Sequence, residues 1–224
     1  MKFKRSALSI PYVIFLIVFV MAPLAVVLIF AFTNGSGYFT LGNFFGFFKS
    51  SRTIATLVYS LFVAFVTTVI CLLIAYPTAM ALARSGFKRK NILLILAIVP
   101  MWINFTLRIT AMKEVLDAIE GNLAYYPFLN TIIGQVYDFL PFMILPLFNV
   151  LDEMDMSLLE AGRDLGADRR SLFFSLILPL SKPGIMSGIT MVFLPAMTNY
   201  VVLDMLYNST YIMGSLIGSY FNAY

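Results

Sequence analysis

"IPYVIFLIVFVMAPLAVVLIFAF", residues 10–32, holds no charged side chain in 23 positions. A helix needs about 20 apolar residues to cross a hydrocarbon core of about 30 Å, so this run is long enough to span one. It follows Lys2, Lys4 and Arg5, as the apolar core of a signal peptide would. Its length, and the lack of an A-x-A cleavage site before "TNGSG" (33–37), predict a retained helix instead.

The rest of the chain has the same character. Of 224 residues, 61% are hydrophobic and 12% are charged, with a mean hydropathy of +0.92. Soluble domains carry about a quarter charged residues, so a soluble fold is a poor fit. Further apolar runs predict spans at about 55–83, 91–109, 130–151 and 184–204. The expected fold class is therefore all-α, a polytopic membrane protein with five transmembrane helices. Residues 1–9 form a basic N-terminus and 10–224 the membrane domain.

Loop charges orient these spans. The N-terminus, the "RSGFKRK" loop (84–90) and residues 152–183 together hold 11 of the 15 Lys and Arg residues. Only Lys49, Arg52, Arg108 and Lys113 lie elsewhere. The positive-inside rule places the basic segments, and so the N-terminus, in the cytoplasm of a bacterial cell membrane. The net charge of +4 then reflects topology and points to no nucleic-acid partner. Lipid is the expected surrounding.

Several chemistries are disfavoured. Histidine is absent and Cys71 is the one cysteine, so no thiolate or imidazole metal site is expected. No GxxxxGK[ST] loop is present for nucleotide phosphates. No cofactor and no catalytic residue are expected, and moving a solute is the better reading than transforming one. Prolines 23, 77, 100, 141, 146 and 195 fall inside the predicted spans. Each favours a kink, and together they suggest bent helices around a cavity.

Residues 157–184, "SLLEAGRDLGADRRSLFFSLILPLSKPG", keep a polar stretch between the fourth and fifth spans. Ser157 and Glu160 have capping-box spacing, predicting a helix from Leu158. Gly166 can end that helix in the left-handed conformation. Asp168 can cap a second helix on which Leu172, Phe173, Leu176 and Ile177 share one face, and Pro179 and Pro183 would break the chain before the next span. The result is a cytoplasmic helical hairpin whose apolar face needs a partner or a membrane surface. On pattern alone it is equally an interfacial connector with Glu160 a simple cap.

The segment "EAGRDLGADRRSLFFSLILP" (160–179) resembles the EAA loop of binding-protein-dependent ABC importer permeases. Glu160, Ala161, Gly166, Leu178 and Pro179 fall on that pattern, Gly162 stands for its second alanine and Leu176 for its isoleucine. "AYPTAMALAR" (75–84), "VPMWINFTLRI" (99–109), "LPFMILPLFNVLDEMDMSLLEAGRDLGA" (140–167) and "FLPAMTNYVVLDML" (193–206) resemble, more narrowly, spermidine/putrescine permeases.

The resemblance implies a type I importer transmembrane domain without enzymatic activity. It implies two copies of a separate ATPase that binds the ATP, a second homologous permease and an external polyamine-binding protein. Loop 152–183 would couple to the ATPase through Glu160, Ala161, Gly162, Gly166, Arg169, Phe173, Leu178 and Pro179. In that reading the apolar face adheres to the ATPase, while Arg163, Arg169 and Arg170 set register. The family has six spans, so the last span is expected to be missing after "SYFNAY" (219–224), with 205–224 an outer loop bearing at most one short helix. The sequon "NST" (208–210) carries no expected function.

A flexible polycation calls for carboxylates and aromatic faces. The candidate substrate path comprises Asp138, Trp102, Tyr137, Tyr200 and Asp204. Asp138 could equally pair with Arg108 as a structural element, Asp204 could sit at the interface, and the three aromatics could serve packing or the interfacial belt. Related permeases for iron, sulfate, molybdate or phosphonate share the loop. A secondary transporter or membrane-embedded enzyme fits less well, for want of an internal repeat or a nucleophile–base pair.

Overall fold

The computed structural model describes residues 10–34, 37–84, 90–206, 208 and 210–222. The basic residues Lys2, Lys4, Arg5, Lys88 and Arg89 that orient the chain lie outside them. The described residues are overwhelmingly helical, and the one β-type contact among them is an isolated bridge between Thr33 and Phe39. The expected all-α class holds.

The chain divides into two compact units, residues 1–55 and 56–224. In the first, the opening run forms helix α1 (Pro11–Ala31), which widens into a π turn at Ile17–Met21. Its side chains are largely exposed, an apolar surface suited to lipid. The short helix α2 (Gly42–Lys49) folds back on the end of α1. There the Asn43 side-chain amide donates to the carbonyls of Ala31 and Thr33 at 3.1 and 3.0 Å. These bonds satisfy backbone acceptors that a helix end leaves open. Phe32 packs on Phe39 and Phe44 beside it.

Helix α3 (Ser51–Arg84) carries the chain into the second unit. It is followed by α4 (Lys90–Ile98), α5 (Phe105–Glu120), α6 (Pro127–Asp152), α7 (Met156–Asp164) and α8 (Arg169–Leu180). Then come α9 (Lys182–Thr198), α10 (Tyr200–Met205) and α11 (Met213–Asn222). Helix α6 is the axis of this unit. Ser60, Ala64, Thr67, Cys71, Ala75 and Ala79 of α3 are all buried at helical spacing. Small residues let helix backbones approach where lipid gives no hydrophobic drive for association.

Helix α9 lies against the opposite stretch of α6 by the same device. A Cβ added at Gly188 would stand 2.5 Å from Met143 Sδ, and one at Gly184 2.9 Å from the Pro146 carbonyl. Between the three helices, buried Gln135 accepts from the Thr67 hydroxyl at 2.8 Å and donates to the Ala196 carbonyl at 3.3 Å.

Among the described residues three helices are long and apolar enough to span a membrane, and the count reaches five when each of two bent pairs is one span. The predicted single span at 91–109 is one of those pairs and needs correcting. After α4 and a 3₁₀ turn at Val99–Trp102, the chain turns by 94° into α5. Asn104 causes the restart. Its side chain accepts from the N–H groups of Thr106 and Leu107, which caps α5.

Pro77, Pro141 and Pro146 lie inside uninterrupted helices. Breaks fall at Ile103–Asn104, at Ser181 and at Asn199, and Pro100, Pro179 and Pro195 each closely precede one of them.

The described residues of the tract 205–224 pack against the rest of the unit. Leu206, Asn208, Ile212 and Leu216 are buried, and α11 fits the one short helix that was expected. At Gly214 an added Cβ would stand 1.9 Å from the Thr198 carbonyl oxygen, so only glycine fits this contact.

Candidate functional site

Two places gather the residues singled out in the sequence. They sit at opposite ends of α9, whose 17 residues rise about 25 Å.

The first is the hairpin of α7 and α8. Asp155, not Ser157, caps α7: its carboxylate accepts the Ser157 N–H at 2.9 Å, and the helix begins two residues earlier than the capping-box spacing predicts. Glu160 is therefore not a cap. It is exposed, and among the described residues it makes no hydrogen bond or ion pair. The end of α7 closes as a Schellman motif, with Ala167 N–H donating to the Gly162 carbonyl and Gly166 N–H to that of Arg163. Gly166 holds φ +82°, the left-handed conformation expected of it.

Asp168 then caps α8, accepting from Ser171 N–H at 3.0 Å. Hydrogen bonds from the hydroxyl and N–H of Ser171 hold the Asp168 carboxyl below the usual range, and the Ser157 N–H does the same for Asp155. Both caps stay ionised at neutral pH.

The hairpin is tied to the helices above it. Lys90 at the start of α4 pairs with Asp152 at the end of α6, and Arg84 donates to Met154 Sδ at 3.4 Å. The Tyr76 hydroxyl lies 3.0 Å from Ser181 Oγ, which itself donates to the Leu178 carbonyl, so Tyr76 is the donor. Ser181 is where α8 turns by 61° into α9; the expected proline break becomes this bend, with Pro179 and Pro183 on either side.

The apolar face of the hairpin is not the free adhesive surface that its sequence suggests. Leu159, Leu172 and Ile177 are buried, and Phe173 packs edge-on against Tyr76 with ring centroids 5.7 Å apart. The chain's own helices cover that face, for which the sequence reading expected a partner or a membrane surface. The hairpin instead exposes Met156, Leu158, Leu165 and Phe174, set among Glu160, Arg163, Asp164, Arg169 and Arg170. Ala161 and Pro179 are exposed as well, while Gly162 and Leu178 are half-buried. Gly162 faces Leu172, whose side chain would meet an added Cβ at 2.7 Å.

The second place is a cavity of about 260 Å³ lined by Tyr200, Leu203, Asp204, Asn208, Thr210, Tyr211 and Ser215. Tyr200 and Asp204 are thus brought together. The other proposed path residues are not with them. Asp138 is buried and ion-paired with Arg108 of α5, also buried, while Trp102 is 83% exposed at the 94° turn and Tyr137 is half-exposed on α6. Sequence reading missed Asn208 and Tyr211. Nothing local marks them, because their place depends on contacts with residues far away in the chain.

Residues 74–224 match the family of binding-protein-dependent transport system inner membrane components. The chain belongs to that family. It is 38% identical over 242 aligned positions to the spermidine/putrescine transport system permease protein PotB of Haemophilus influenzae, covering 98% of this chain and 84% of that protein. The protein of the same name from Escherichia coli (strain K12) is 38% identical over 164 positions, 67% of this chain and 60% of that one. A PotB homolog of Mycoplasma genitalium is 29% identical over 97% of this chain and 79% of its own length. Family membership and the apolar helices make this permease a multi-pass inner-membrane protein.

Proposed function

We propose that this permease is the first of two transmembrane subunits of an ATP-driven polyamine importer, and that the α7–α8 hairpin couples it to a separate ATPase. The supporting observation is the hairpin itself. It is capped at both helix starts, closed by a left-handed glycine and braced to α3 through Arg84 and Tyr76, yet its outer surface keeps five apolar side chains among charged ones. Such a segment moves as a rigid body, and an exposed mixed patch suits transient protein contact.

In this reading the hairpin lies in the cytoplasm with the N-terminus. Two ATPase copies bind ATP there and close on it. Their closure displaces α7 and α8, and α9 carries the displacement toward the cavity end. A second permease completes the path, and an external binding protein delivers spermidine or putrescine, the solutes named in its relatives' descriptions. The chain itself does no chemistry.

The test is uptake of radiolabelled spermidine into proteoliposomes holding the complete assembly, with ATP hydrolysis measured in parallel. Glu160→Lys should cut uptake at least tenfold and uncouple it from hydrolysis. Crosslinks from Arg169→Cys should reach the ATPase. Crosslinks confined to lipid, with normal uptake by Glu160→Lys, would sink the coupling role.

A further inference from the structure

We propose that the cavity at Asp204 holds one ammonium terminus of an alkyl polyamine on its way through the permease. The inference rests on the polyamine reading above and assigns it a place.

The two acids nominated from sequence are used differently. Asp138 is neutralised inside the protein by Arg108. The Asp204 carboxylate makes no ion pair or hydrogen bond among the described residues and opens onto the cavity. No lysine or arginine lines that cavity, so an anion there would meet an unopposed carboxylate, whereas a cation would be drawn to it.

The walls supply what an alkylammonium group needs. An –NH₃⁺ head has three donors and no acceptor. Thr210 and Ser215 carry hydroxyl oxygens, and Asn208 Oδ1 accepts one backbone N–H, from Thr210 at 3.1 Å, which leaves a lone pair. The rings of Tyr200 and Tyr211 offer faces to a cation, and Leu203 an apolar surface to methylene groups.

Size points the same way. Sites for drug-sized ligands run from about 300 Å³ upward, and a cavity of about 260 Å³ has room for an ammonium head with its alkyl arm. A long polycation would enter end first.

The cavity is also pre-formed. Asn208 Nδ2 donates to Thr131 Oγ1 at 2.9 Å and to the Tyr59 hydroxyl at 3.2 Å, which fixes the amide from two other helices. Met213 N–H donates to Ser60 Oγ at 2.7 Å, and Ser215 Oγ is held by its bonds to Ile212. An ammonium group entering here needs little rearrangement of the wall, which lowers the cost of binding.

The test is equilibrium binding of radiolabelled putrescine to the purified, complete permease–ATPase assembly without its binding protein, beside uptake by the same assembly with it. Asp204→Asn should weaken binding about tenfold and lower the maximal uptake rate, Asp204→Glu should restore binding to within threefold, and Tyr211→Ala should weaken it by a smaller factor. Equal binding by wild type, Asp204→Asn and Tyr211→Ala, or no binding by wild type, overturns the assignment. Should Asp204→Asn fail to accumulate, Tyr211→Ala and Thr210→Val carry the same test. Normal polyamine uptake by wild type together with unaffected variants sinks only the cavity. Absent uptake together with Asp204-dependent binding sinks the transport reading and leaves the cavity standing.

Discussion

The two ends of α9 treat polar residues in opposite ways. At the hairpin, order comes from within: Asp155 and Asp168 bond to residues two and three positions on, and Gly166 closes the turn between them. The charges beyond the caps are left in solvent. At the cavity, order comes from afar, since Asn208 bonds to Thr131 and Tyr59, and Met213 to Ser60, across 77 to 153 residues of chain. A locally built element can move as a piece. One stitched to two other helices holds its shape while the pieces move.

That contrast can be broken by experiment. The largest effect should come from charge buried between the helices. Arg108→Met or Asp138→Leu alone strands a buried ion and should cost about 3–5 kcal/mol, whereas the double variant recovers most of it. Thermal unfolding of the purified assembly reads both, and equal losses for single and double variants would show that the two groups are not coupled.

Next comes the cavity wall. Gly214→Ala drives a methyl group into the Thr198 carbonyl and should destabilise by about 1–3 kcal/mol or more, seen as lost abundance in membranes. Unchanged abundance would mean that α11 is not held as described.

At the hairpin the effects should be smaller and confined. Gly166→Ala places a Cβ on a left-handed residue at about 1–2 kcal/mol, and should raise amide exchange in α7 without lowering the unfolding midpoint of the spans. A fall in that midpoint would mean that the packing of Leu159 and Ile177 on the spans carries the change into them.

The smallest effect concerns the caps. Asp155 and Asp168 are depressed in the folded state, so their contribution is fully present above the unfolded carboxylate range and is lost as pH falls through the folded values. Amide exchange of the hairpin should therefore be flat, apart from intrinsic rates, between pH 6 and 8 and should rise only in acid below about pH 4. A change near pH 7 would point to other groups.

The same contrast explains what was legible in the sequence. The hairpin was readable because caps, a glycine stop and apolar spacing are encoded within twenty consecutive residues. Even there the wrong cap was chosen: S-x-x-E at 157–160 satisfies a local rule, but Asp155 reaches the same N–H first. That the face of Leu172, Phe173, Leu176 and Ile177 is covered from within the chain was not legible, because sequence spacing shows that a face is apolar, not what lies on it.

Spans 55–83 and 130–151 were visible as apolar runs. The turn at Asn104 was not, since its flanks are as apolar as a continuous span. Tyr200 and Asp204 could be nominated by type, but their meeting with Asn208 and Tyr211 depends on how α10 and α11 fold back on α3 and α6.

The 61° corner at Ser181 has a mechanical consequence. Because α8 passes into α9 through one residue anchored by Tyr76, the pair can act as a bell crank with a fixed pin. Tipping α9 by about 10° about that pin would sweep its far end, some 25 Å away, through about 4 Å. A displacement of that size is close to the width of an alkyl chain, so a small push on the short arm is enough to open or shut a passage for one.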